Sequence, residues 1–170
     1  MKRYERIIFL CTNNTYLSPM AEAMYRHFSA ENQELPECCS RGLVVLFSEP
    51  ISPKVNVALT TQDMEVSAHE NSQPVQLEEI LGNVLILTMT FSEKVKFLEE
   101  YSVENVYTLG EFVGEDTDII DPYGGEEEQY ERCYEDILRR IKKVIEIVQK
   151  DTPEEEKEIP MEDNTMRNIK

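Results

Sequence analysis

An α/β domain, a parallel sheet covered by helices on both faces, is the fold class this sequence predicts, and three observations carry it. Two short, largely apolar runs, Ile7-Ile8-Phe9-Leu10 and Val84 to Met89, have the length and composition of strands buried on both sides. Helical segments alternate with the strands, which calls for crossover connections and hence parallel pairing. Residues 126–149 place apolar side chains at 130, 133, 134, 137, 138, 141, 144, 145 and 148, the i, i+3, i+4, i+7 repeat of a long amphipathic helix.

The elements follow in order. The strand Ile7–Leu10 stops at Cys11-Thr12-Asn13-Asn14-Thr15-Tyr16-Leu17, which is poor in helix formers. Ser18-Pro19 then supplies an N-cap and a proline at the first helical position, and Met20 to Phe28 continues as a helix. Cys38 to Val45 reads as a second strand, Ser52-Pro53 opens a capped helix to about Thr61, and Val75 to Leu81 is a short helix. After the strand Val84–Met89 come a helix from Phe91 to Tyr101 and a fourth strand, Asn105 to Leu109. The last helix gathers acids at its start (Glu126 to Glu128) and bases in its later half (Arg139, Arg140, Lys142, Lys143), as its dipole favours.

The 170 residues fit one domain, expected over 1–150, with an acidic tail over 151–170 that has no apolar period and should be disordered. With 17 Lys and Arg against 34 Asp and Glu the chain carries a formal charge of −17, which argues against nucleic acid and anionic lipid as partners. The charge is uneven: residues 111–136 hold eleven acids and one Arg, residues 1–43 five acids and five bases. No apolar run has the ~20 residues of a membrane span, and the first residues do not read as a signal peptide. Four cysteines without framework spacing point to reduced thiols in a cytoplasm.

In a parallel sheet, ligands sit beyond the C-terminal strand ends, where the Cys11 loop and the loop after Leu109 both lie. A helix N-terminus directly after the Cys11 loop suits an anion, and a thiol there has reason for a lowered pKa. The same arrangement also describes an ordinary turn and a small buried cysteine. Asp118-Ile119-Ile120-Asp121-Pro122-Tyr123-Gly124-Gly125 sets two acids in a rigid turn before the last helix. A carboxyl there could serve as a general acid, though alone the segment equally reads as a turn and cap.

Together these segments resemble the low-molecular-weight protein tyrosine phosphatases and the related bacterial protein-arginine phosphatases. The family pattern C-x-x-x-x-x-R-S-P, with Met-Ala-Glu-Ala behind it, is matched by Cys11 to Ala23, and its D-P-[YF]-G-G loop by Asp121 to Gly125. Ser40-Arg41-Gly42 and Leu85 to Thr90 also look like family segments, so the likeness covers roughly residues 5–149. It implies a four-stranded sheet and a cysteinyl-phosphate mechanism without metal or cofactor. The substrate would be a phosphorylated protein or a small phosphate-bearing molecule. By position, Cys11 is the nucleophile, Asp121 the acid and base, and Thr12, Asn13, Asn14, Thr15, Tyr16, Leu17 and Ser18 the phosphate loop. Ser18 would hydrogen-bond the thiolate, Asn14 would brace the loop, and Phe47 and Tyr123 could wall the pocket. Thr15 stands where the arginine-phosphatase branch prefers Thr.

Three departures bear on the chemistry. Position 17 is Leu where the pattern has Arg, which removes two parallel charge-assisted hydrogen bonds to phosphoryl oxygens. Asn13 replaces the usual Gly and Tyr16 a Cys that many relatives use as a redox partner. Arg26 and Arg41 are the candidate cations to take the place of that Arg. The expected function is therefore a phosphatase on phosphotyrosine or phosphoarginine, severely weakened by Leu17. The alternative is a pseudophosphatase that binds an anion or a partner, and arsenate reduction is disfavoured because no Cys lies between Cys39 and Cys133. His69 reads as structural, His27 as solvent-facing and Cys133 as core, while Cys38 and Cys39 should face opposite sides of a strand.

Overall fold

The structure, a computed structural model, describes residues 4–65 and 69–151. The expected tail falls, from residue 152 onward, outside the described residues. Four strands, β1 (Arg6–Cys11), β2 (Glu37–Gly42), β3 (Val84–Thr88) and β4 (Val106–Thr108), make one all-parallel sheet in the order β2-β1-β3-β4. Among the described residues five α-helices accompany it: α1 (Leu17–Ser29), α2 (Pro53–Thr61), α3 (Phe91–Glu100), α4 (Leu109–Val113) and α5 (Glu127–Lys150). The chain leaves β1 on one side to build β2 and returns on the other to build β3. The strand order therefore reverses at β1, the place where such sheets open a crevice at their C-terminal edge.

Alternation along β1 divides the core. Ile7 and Phe9, paired in register with Leu85 and Leu87, point into a cluster with Met20 and Met24 of α1 and Ile137 and Ile141 of α5. Ile8 and Leu10 point the other way, onto Ile86, Val106 and Phe97 of α3. Cys38 packs on the first cluster and Cys39 on the second, the opposite facing expected for neighbours on a strand. Along α5, Cys133, Tyr134, Ile137, Ile141, Val144 and Val148 are buried, as the apolar repeat requires.

Several expectations need correction. The first helix begins at Leu17 with Tyr16 at the N-cap and no side-chain cap, so Ser18 is a helical residue whose hydroxyl is used elsewhere. Strand two ends at Gly42 rather than Val45, opposite Cys11 where its partner β1 also ends, while Leu43 and Val44 still donate to the carbonyls of Cys11 and Thr12. The helix expected over 75–81 is one 3-10 turn, Leu77–Ile80, and the fourth strand stops at Thr108, whose hydroxyl caps α4 in a Thr-x-x-Glu box with Glu111. Arg140, read as one of the dipole-complementing bases, is buried. Its guanidinium donates to Thr117 O and Thr117 Oγ1 at 2.6 Å each and to Asp136 at 2.9 Å.

Candidate active site

The loop after β1 is held on three sides at the C-terminal edge of the sheet. Leu43 and Val44 donate to it from beyond β2, Ser52 N–H donates to Thr15 O at 2.8 Å, and Met89 N–H donates to Leu10 O at 3.1 Å. Gly42 permits this close approach, since a Cβ there would lie 3.1 Å from the backbone of Asn13 and from Asn14 Cβ. The loop residue that takes a left-handed conformation is Asn14 (φ 58°); Asn13, at the family's Gly position, does not. Asn tolerates that conformation better than most residues.

Cys11 and Ser18 share a Sγ–Oγ hydrogen bond of 2.9 Å, and Asn14 N–H donates to the same sulfur at 3.3 Å. The Asn14 side-chain amide donates to Ser18 Oγ (2.8 Å) and Ser40 Oγ (3.1 Å), while its carbonyl accepts from Gln73 N–H (2.9 Å). Both amide hydrogens are thus used, and the buried Asn14 ties the loop to α1, β2 and the segment before the 3-10 turn. Burial pushes the Cys11 thiol up. The Ser18 and Asn14 bonds pull it down, and the negative charge of Glu93 adds to the rise, so the net direction is upward.

Glu93 was not singled out in the sequence. It caps α3 through Thr90-x-x-Glu93, one oxygen accepting from the N–H groups of Met89 (3.1 Å) and Thr90 (2.9 Å). The other oxygen accepts from Thr12 Oγ1 at 2.9 Å, which brings a buried carboxylate to the residue after the cysteine. Its own pKa is raised by burial against these hydrogen bonds. The Thr-x-x-Glu spacing signals the cap, but the contact to Thr12 spans 81 positions and belongs to the tertiary fold.

Leu17 is buried in the core beneath the loop. Neither sequence-nearby cation is free to replace the Arg of the pattern. Arg41 donates through Nε and Nη2 to Glu79 (2.8 and 2.7 Å) and through Nη1 to Ser40 O, while Arg26 pairs with Glu22.

The second motif also reaches this edge. Ile119 N–H donates to Met89 O at 3.1 Å, Asp118 accepts from Phe91 N–H at the start of α3, and Arg140 holds Thr117 from below. Asp121 is exposed and accepts from Tyr123 N–H (3.0 Å), closing the turn before α5. Burial pushes the Tyr16 phenol up, and the charges of Cys133, Tyr130 and Asp121 add to the rise. Thr15 Oγ1 donates to Asn13 Oδ1 at 3.1 Å. Phe47 and Tyr123, the suggested walls, stand 82% and 90% exposed. His27 is exposed, while Cys133 is core.

His69 braces the loop from behind. Its Nδ1 faces Asn71 O (2.8 Å), so that nitrogen carries a hydrogen, and Nε2 lies 3.1 Å from Ser40 Oγ and 3.4 Å from the buried Glu22. The Glu22 hydrogen bond raises His69 despite partial burial. Burial raises Glu22, but His69 and Arg26 outweigh it and leave it low. A raised histidine contributes stability that is complete below its unfolded value of about 6.5 and is lost as pH rises through its folded value. A lowered Glu22 contributes above about 4.5 and loses that contribution as pH falls through its folded value. Thermal melts from pH 6 to 9 should therefore fall more steeply in the wild type than in His69→Gln; equal slopes would show that the pair carries no linkage.

Among the described residues, no group of three or more potential ligands could hold a metal ion, and no helix is long and apolar enough to cross a membrane. The family model for low molecular weight phosphotyrosine protein phosphatase matches residues 6–154. The chain is 34% identical over 141 residues to the low molecular weight protein-tyrosine-phosphatase PtpB of Staphylococcus haemolyticus, covering 82% of this chain and 96% of that protein. It is 31% identical over 147 residues to the protein-arginine-phosphatase of Geobacillus stearothermophilus, covering 85% and 96%. Among solved structures, a low molecular weight protein tyrosine phosphatase from T. tengcongensis superposes with a TM-score of 0.76 at 32% identity, over 83% of this chain and 97% of that one. With its four-stranded parallel sheet and Cys11 loop set over the start of α1, this chain belongs to the low molecular weight phosphotyrosine protein phosphatase family.

Proposed function

We propose that the Cys11 loop is a phosphoryl-transfer site for phosphotyrosine or phosphoarginine in cytoplasmic proteins, and that Leu17 leaves it severely weakened. The Cys11 thiolate attacks phosphorus as the P–O or P–N bond breaks, and Asp121 gives its proton to the departing atom. Water then attacks the cysteinyl-phosphate, Asp121 takes its proton, and Sγ leaves as thiolate. Ser18 and Asn14 hydrogen-bond that thiolate; Asn14 N–H and Thr15 N–H are engaged by the Cys11 sulfur and Asn13 Oδ1, so the other loop N–H groups and the α1 dipole serve the phosphoryl oxygens. The reading rests most on one observation, the Cys11 sulfur held by Ser18 Oγ at 2.9 Å and Asn14 N–H at 3.3 Å. Four free cysteines suit a reducing compartment.

Thr15 and the arginine-phosphatase relative favour phosphoarginine, and the tyrosine-phosphatase relatives favour phosphotyrosine. Side-by-side turnover of p-nitrophenyl phosphate and a phosphoarginine peptide, with Cys11→Ser as blank, tests the reading. Wild-type rates equal to the blank on both would favour the pseudophosphatase. That second reading has its own support, a cysteine raised by burial and beside a buried carboxylate.

Anion binding should be weak on either reading, because the guanidinium is missing and Glu93 is near. Calorimetry with vanadate should give a dissociation constant far above the micromolar level, which corresponds to ~8 kcal/mol. Micromolar binding would mean that another cation enters the loop.

A further inference from the structure

A cleft of about 1110 Å³ runs between α2 and the first turns of α5, starting at Tyr16, the last residue before α1. Its floor is apolar and aromatic: Val57 and Ala58 on α2, Tyr130 and Tyr134 on α5, and Tyr16 itself. Tyr16 and Tyr130 meet edge to face at 5.6 Å. Its rim on α5 is acidic, with Glu127, Glu128, Glu131 and Glu135 against a single Arg132. A cation already lies on the aromatic wall, since Lys54 Nζ stands 4.0 Å from the Tyr130 ring centroid. Tyr134 is about nine-tenths buried in the same wall, and its hydroxyl has no hydrogen-bond partner among the described residues.

We infer that this cleft seats a cationic, partly apolar segment of the substrate polypeptide beside the residue presented to Cys11. The inference deepens the proposed function and rests on it for naming the segment as substrate. The dimensions exceed those needed for one side chain and suit several residues. The Tyr130 face already carries Lys54, so the acidic rim is what gives an arginine or lysine of the segment its charge complementarity. Apolar side chains of the same segment cover Val57, which is 64% exposed in this structure. Asp121 and Glu126 carry negative charge on from the rim to the turn before α5, so a basic partner is drawn to the edge where the loop lies. An acidic segment meets repulsion from the same rim.

Fluorescence anisotropy of a labelled peptide alternating arginine with leucine, against its counterpart with glutamate for arginine, tests this on the full chain. The arginine peptide should bind, with an affinity that falls as salt is raised, and the glutamate peptide should not. Glu131→Lys with Glu135→Lys, both exposed on α5, should weaken binding at least tenfold. Glu99→Lys with Glu100→Lys at the exposed end of α3 carries the same charge change away from the cleft and should leave it within twofold. Equal losses in the two double variants would reduce the effect to net charge and overturn the inference, as would binding of both peptides alike or of neither. Cys11→Ser should leave peptide binding intact; loss there would place the peptide at the loop instead. Failure of the phosphatase reading shows separately, as absent turnover.

Discussion

Leu17→Arg should raise turnover of p-nitrophenyl phosphate by at least ~10², because one properly placed donor to the transition state is worth ~3–4 kcal/mol. The wild type has backbone N–H groups and a helix end to meet the phosphoryl oxygens but no guanidinium. Arg41 and Arg26 are tied to Glu79 and Glu22 and do not substitute. An arginine at 17 adds two parallel charged hydrogen bonds and a cation that favours the Cys11 thiolate. The gain should vanish when Cys11→Ser is added, since no nucleophile remains. Asp121→Asn in the Leu17→Arg background should slow a substrate with a poor leaving group much more than p-nitrophenyl phosphate, which needs little protonation. Leu17 is buried, so circular dichroism must accompany the assay. A folded but inactive Leu17→Arg would mean that Asn13 and Tyr16 hold the loop in a shape that no longer cradles phosphate. A wild type that is already fast would show the arginine to be dispensable.

Arg140→Ala should destabilise the domain by roughly 2–4 kcal/mol, from lost charged hydrogen bonds and a cavity in place of a large buried side chain. Three donors of one guanidinium join Asp136 on α5 to the carbonyl and hydroxyl of Thr117. The partners Asp136 and Glu115 keep some exposure, which moderates the cost of leaving them behind. At roughly 2–4 °C per kcal/mol for a chain of this size, the melting temperature should fall by about 4–16 °C. Because Arg140 anchors Thr117, four residues before Asp121, the loss should also slow any Asp121-dependent step measured in the Leu17→Arg background. Arg140→Lys keeps the charge but one donor group instead of three and should recover only part of the stability. A change in melting temperature under 2 °C would show that the α5 contact is not what holds this turn.

Period and composition made most of the architecture legible. The strands Ile7–Leu10 and Val84–Met89 and the helix over 126–149 stand within a residue or two of β1, β3 and α5, because a strand buried on both faces and a helix with one apolar stripe can each be satisfied in one way. The Ser52-Pro53 cap opens α2 as read, since that signal is local. Where a local signal competed with a tertiary demand it failed. Ser18-Pro19 has the look of an N-cap, yet Ser18 Oγ goes to the Cys11 sulfur and α1 begins two residues earlier, at Leu17.

The residue types of the candidate site, Cys11, Asn14, Ser18 and Asp121, and the Leu at 17 were legible in the sequence alone, because each motif is a contiguous spacing. Only the tertiary structure decided the charge around the thiol. Glu93 reaches Thr12 across 81 positions, Arg41 is captured by Glu79 across 38, and His69 meets Glu22 and Ser40 from a distant segment. Electrostatics and hydrogen bonding depend on distance in space and on burial, and neither quantity is written in the order of residues along a chain.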